Sequence, residues 1–193
     1  MDRHPAVWMI TMLVALSLLA GCGSGGTETV RQELQEANRH ISASAEAIKG
    51  LSDFQRSWEE LVTGGQADSA PEVRALLLEA QASEKKALSE LELAEKTLRG
   101  AWGEPVSEEM KTYLEMKLDA LSEQIAGLEE ELLAMPIRLE VISLVEKEAP
   151  LDQVLQLHRQ IEEKEARSME LLRNAGVMHQ DANDYYDEKQ LGS

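Results

Sequence analysis

One thiol and four imidazoles are the side chains in this 193-residue chain best suited to specific chemistry: Cys22, and His4, His40, His158 and His179. His40 has Glu36 one helical turn before it, and His158 has Glu162 one turn after it. Such a pair can hold a metal only where further ligands converge on it. The di-iron pattern of helical bundles needs a Glu three residues before the His, and Ala37 and Leu155 stand there instead. Both histidines therefore read as residues of a solvated helix face. The stretch Asp181-Ala182-Asn183-Asp184 opens like a calcium loop, but Tyr185 and Tyr186 occupy the positions that need an oxygen ligand and a glycine. No nucleophile elbow, zinc-protease motif or phosphate-cradling glycine loop is present. No catalytic residue, cofactor or metal ligand is assigned, and the expectation is a protein that is not an enzyme.

Cys22 is the remaining candidate, and its surroundings are distinctive. Arg3 precedes an uncharged, mostly apolar run over Ala6–Ala20, and Gly23-Ser24-Gly25-Gly26 follows the cysteine. A charged start, a short apolar segment and a small-residue cleavage site make a secretory signal peptide over residues 1–21. The rival, an uncleaved spanning helix, needs about 20 apolar residues, and Ala6–Ala20 is shorter.

The four residues Leu19-Ala20-Gly21-Cys22 resemble the lipobox of bacterial lipoproteins. That resemblance implies that Cys22 becomes the first mature residue, carries a diacylglyceryl thioether and is the lipidation site. Each buried CH₂ contributes about 0.8 kcal/mol, so two or more acyl chains hold firmly where one does not. Residues 22–28 would then form a flexible spacer. Gly23 is not the Asp that marks inner-membrane retention in lipoproteins of Gram-negative enterics. The expected location is the cell membrane or the outer membrane, facing away from the cytoplasm.

Residues 1–21 hold one acid, Asp2, and one base, Arg3, so their loss leaves the net charge at −17. Nucleic-acid binding needs clustered Lys and Arg, and this chain has none, so nucleic acid is excluded as a partner. Anionic headgroups would repel the body as well. With a single cysteine no internal disulfide can form. Aromatics at 4% and only five prolines leave a composition of helix formers.

The periodicity predicts which elements hold these residues. A first helix over Thr29–Val62 carries an apolar seam in threes and fours (Val30, Leu34, Ala37, Ile41, Ile48, Leu51, Trp58), with Ser44 and Gln55 as exceptions and Gly50 as a weak point. Thr63-Gly64-Gly65 stops it. Pro71 starts a second helix that ends at Arg99, with Gly100 as its stop. Its seam includes Glu84 and several alanines (Ala80, Ala87, Ala94), which permit a close approach to a neighbour.

Ser107 caps a third helix with the best seam in the chain, Leu114 to Met135. Pro136 interrupts it, and residues 137–145 read either as a kinked or restarted helix to about Lys147 or, because they alternate, as a strand. Pro150 starts a short fourth helix to Ala175, stopped by Gly176. Residues 177–193 read as an acidic, disordered tail.

The fold class is therefore all-α: an antiparallel bundle of three to four long helices over residues 29–176. Trp58 and Trp102 read as core caps or as exposed anchors, and the runs Glu129–Glu131 and Glu162–Glu165 as solvated faces. The general form is similar to cell-wall-binding helical lipoproteins of Gram-positive bacteria. The expected function is a membrane-anchored, non-enzymatic lipoprotein of the cell envelope that binds or scaffolds a protein or envelope component. A holdase-like chaperone or stress sensor and an acidic cation binder are the alternatives. The partners are the membrane through Cys22 and a protein, with homo-oligomerisation as an option.

Overall fold

The computed structural model describes residues 28–49, 51–64 and 67–191. Cys22 and the apolar run before it lie outside the described residues. The protein is an all-α bundle. Its elements are α1 (Glu28–Ile48), α2 (Ser52–Gly64), a 3₁₀ turn (Ala67–Ser69), α3 (Ala70–Gly103), α4 (Glu108–Glu146) and α5 (Leu151–Glu188). None of the described helices is long and apolar enough to cross a membrane.

Neighbouring helices run antiparallel, as the side-chain bonds between them show. His40 on α1 meets Glu90 on α3, and near the other end of that pair Glu33 approaches Gly100. Arg74 and Trp102 of α3 reach Glu146 and Glu115 of α4. Arg138 and Lys117 of α4 reach Glu165 and His179 of α5. The longest helix, α4, with 39 residues, spans about 58 Å at 1.5 Å per residue. It packs on both α3 and α5 and so is buried on several rows at once, Leu114, Lys117 and Ala120 each opening a different one.

Heptad spacing organises the core. On α5 every seventh residue is buried: Val154, Ile161, Ser168, Ala175 and Ala182. On α3 two such rows alternate, one of Leu77, Glu84, Leu91 and Leu98, the other of Ala80, Ala87, Ala94 and Ala101. This is the seam of left-handed helix packing, and its alanines let helix axes approach. Gly127 makes the closest approach: a Cβ there would lie 2.8 Å from Leu172 Cγ and 3.3 Å from the Ser168 carbonyl.

Several boundaries differ from the sequence reading. The first helix is divided: Lys49 and Leu51 donate to carbonyls three residues back, and α2 starts afresh at Ser52. Helix α3 runs through Gly100 and ends at Gly103, where Glu104 turns extended and donates to the Ala101 carbonyl. Residues 137–145 are helix, not strand, and α4 continues through Pro136. Pro136 sits on the exposed face, so its ring takes no core volume while Met135, Val141 and Ile142 bury on either side.

The fourth helix is not short, and the segment after Gly176 is not a disordered tail. Helix α5 continues to Glu188, and Leu191 is buried beyond it. A mid-helix Gly costs about 1 kcal/mol; burying Ala175 and Ala182 and packing the tilted Tyr186 ring against Tyr113, with ring centroids 4.8 Å apart, outweighs it.

Candidate functional site

The bundle has two apolar clusters. One gathers Val30, Ile41, Leu91, Leu98, Leu114 and Leu121, and the other Trp58, Leu61, Leu77, Met135, Ile142 and Ile161. Four helices contribute a buried polar residue to the middle of the bundle, a polar belt: Ser44 of α1, Glu84 of α3, Arg138 of α4, beside the second cluster's Phe54, and Ser168 of α5.

Arg138 anchors this belt. It is 3% exposed, and its Nη2 donates to Glu131 Oε1 at 2.8 Å and to Glu165 Oε1 at 2.6 Å. The Phe54 ring of α2 lies against the guanidinium at 5.5 Å, a cation–π contact strengthened by burial. Burial works against the arginine charge, but Glu131 and Glu165 more than restore it, so Arg138 stays ionised. Glu165 is pushed up by burial and pulled back by Arg138, with a net rise.

Glu84 is the surplus acid of this belt. Burial, reinforced by Glu131 and opposed by Arg138, raises it to about 8, and its Oε2 has no hydrogen-bond partner. At neutral pH the carboxyl therefore keeps its proton, because the one guanidinium already serves two carboxylates. Outside the belt, Glu130 accepts from Lys164 at 3.1 Å and pairs with Arg167 at 3.2 Å.

A second polar group lies nearer the other end of the α4–α5 interface. Lys117 Nζ sits 3.2 Å from His179 Nδ1, and His179 Nε2 sits 3.2 Å from Gln124 Oε1. A chain in which the ammonium donates to Nδ1 and Nε2–H donates to the amide oxygen satisfies both contacts. Burial lowers Lys117 to about 8, and burial together with the Lys117 charge lowers His179 to about 3.

The histidines singled out from sequence are placed differently from expectation. His40 is not on a solvated face: it is buried, with Nδ1 2.7 Å from Glu90 and Nε2 3.2 Å from Glu36. His158 is half-buried, 3.8 Å from Glu162, and its Nδ1 has no partner. Among the described residues no group of three or more His, Cys, Asp or Glu is placed to hold a metal ion. Trp58 is a core residue, whereas Trp102 is 43% exposed and donates to Glu115 at 3.1 Å. The acidic runs are only partly solvated, since Glu130, Glu131 and Glu165 are engaged in the ion pairs above.

Sequence reading missed Arg138 and Lys117 as interior groups and His179 as a half-buried one. Glu84 did carry a signal, a charge at a seam position. Lys117 carried none, because the Leu114–Leu118–Leu121 seam accounts for only one of the rows α4 buries. Chemically, the belt and the basic pair bind helices together; at 2–3% exposure, Lys117, Glu84 and Arg138 are closed to a substrate in this conformation. No protein family matches the chain, and comparison with curated proteins and with solved structures finds no similar one.

Proposed function

We propose that this protein is a lipid-anchored, non-enzymatic lipoprotein of the bacterial cell envelope, whose helical body binds or scaffolds a protein or envelope component. The observation that carries this reading is the lone thiol of the chain standing at the end of Leu19-Ala20-Gly21-Cys22, after a short apolar run. With an anchor at Cys22, the end of the bundle that holds Glu28, the first described residue of α1, is the end nearer to it in sequence. The turn between α3 and α4 and the end of α5 share that end of the bundle. The opposite end, with the α4–α5 turn and the exposed Leu151, stands about 55 Å farther out along the helices.

The holdase reading calls for a continuous apolar face. Among the described residues the exposed large side chains are instead spread over three helices: Leu78, Leu93 and Trp102 on α3, Leu133 on α4, and Leu151, Leu155, Met169 and Val177 on α5. Single exposed leucines are ordinary on a soluble surface, so no observation favours that alternative.

The test is Cys22→Ala in the native host, followed by fractionation and crosslinking from intact cells. The anchored reading expects wild type in the membrane fraction, the variant released, and crosslinked partners lost with release. A variant retained in membranes points to a spanning helix and overturns the lipid anchor.

A further inference from the structure

The Lys117–His179 pair places two bases side by side inside the α4–α5 interface, and no carboxylate bonds to either. Lys117 is 2% exposed, and the nitrogens stand 3.2 Å apart. The charge that acts on His179, after burial itself, is that of Lys117. Gln124 of α4 accepts from the imidazole but brings no charge. In the same half of the bundle, the titratable pair that joins α1 to α3, His40 and Glu90, is occupied with itself, and Glu36 with His40 and Arg39. On α5 and α4 the aromatic neighbours are Tyr186 and Tyr113, packed against each other at a tilt, and burial raises the Tyr113 phenol further out of range. A second positive charge arriving here therefore meets repulsion without compensation.

The half of α5 that carries His179 is also the half held most lightly. Its core row is Ala175 and Ala182, where the other half contributes Val154 and Ile161. It contains Gly176, a poor helix former. Beyond His179 its apolar contacts are Ala182, the partly buried Tyr185 and Tyr186, and the buried Leu191. Fewer buried methylene groups mean a lower cost of local opening.

We propose that the Lys117–His179 contact is an acid-sensitive latch: protonation of His179 releases the C-terminal half of α5 from α4 while the Arg138 belt keeps the other half docked. The linkage sign supports this direction. A base whose proton affinity is lower folded than unfolded contributes stability that is lost as pH falls below its unfolded value. For His179 that window opens near 6.5 and closes near 3. Lys117, lowered to about 8, stays charged throughout that window and adds no slope of its own. The local opening constant should therefore rise roughly 30-fold between pH 7.5 and pH 5.

The test is hydrogen exchange of the full chain in detergent at pH 7.5 and pH 5, corrected for intrinsic exchange. The latch predicts loss of protection over residues 174–190 and over the facing residues 108–118 of α4, with residues 151–165 unchanged. His179→Gln, which keeps a hydrogen-bonding side chain but cannot take the proton, should flatten the response. If that variant misfolds, Lys117→Met serves instead. Without the neighbouring cation the imidazole takes its proton more readily while docked, so the rise should shrink several-fold. The same loss in His179→Gln, an unchanged rise in Lys117→Met, or uniform loss along all helices would each overturn the latch.

Discussion

Two glycines show how single atoms set the tolerance of this bundle. Gly127 and Gly100 both lie inside helices, where Ala is intrinsically favoured by about 1 kcal/mol. A methyl at Gly100 meets only Glu33 Oε1 at 2.9 Å, the far end of a flexible side chain that can swing aside. Gly100→Ala should therefore raise stability by about 0.5–1 kcal/mol in denaturant titration. At Gly127 the methyl meets Leu172 at 2.8 Å and backbone at 3.3 Å. Gly127→Ala should lower stability by about 1–3 kcal/mol. Glu84 gives a pH-dependent counterpart. Its carboxyl holds its proton more tightly folded (about 8) than unfolded (4.5), so its contribution is fully present below 4.5 and lost as pH rises to 8. Glu84→Gln removes that loss. The variant should gain on wild type between pH 4.5 and pH 8, by on the order of 4 kcal/mol in total, and run parallel to it outside that range. A pH-independent difference would contradict the buried, protonated acid.

At the scale of the element, what was legible depended on how many sides a helix buries and with what. The seams of α1 and α4 were visible because Leu, Ile and Val occupy most of their positions, that of α3 because Leu and Val alternate with alanines, and Ser107 marked the start of α4 by its cap, accepting from the Met110 N–H. The far half of α5 was not visible: three of its five buried row positions are Ser168, Ala175 and Ala182, which no apolar pattern distinguishes from a solvated face. Gly100 and Gly176 misled for a related reason. Each looks like a stop locally, and tertiary contacts outweigh a cost of about 1 kcal/mol. The interior polar groups were harder still, since Arg138 and Lys117 sit on rows of α4 that only a third neighbouring helix makes into core. Deleting residues 177–193 tests the reassigned segment. It removes Ala182, Tyr186 and Leu191 from the Met110–Tyr113 end, so helical circular dichroism and the midpoint of thermal unfolding should both fall. An unchanged midpoint would restore the frayed tail of the sequence reading.

At the scale of the whole molecule, the proposed anchor and the fold would divide the labour. The body is thiol-free after residue 22 and acidic, with a net charge of −17, so its stability rests on packing and its surface resists anionic lipid. An attachment that does not rely on the body's own affinity for membranes suits such a surface. An anchor at Cys22 would put the Glu28 end of α1 nearer the membrane and the turn between α4 and α5 at the far end of the bundle. The acid latch on α5 would then act nearer the membrane than the Arg138 belt, since Lys117 lies toward the start of α4.

The mass of the mature N-terminus tests the anchor most directly. The account predicts a chain that begins at residue 22, with diacylglycerol in thioether linkage to the cysteine. A native chain that still carries residues 1–21, or one whose Cys22 is a free thiol, would contradict it.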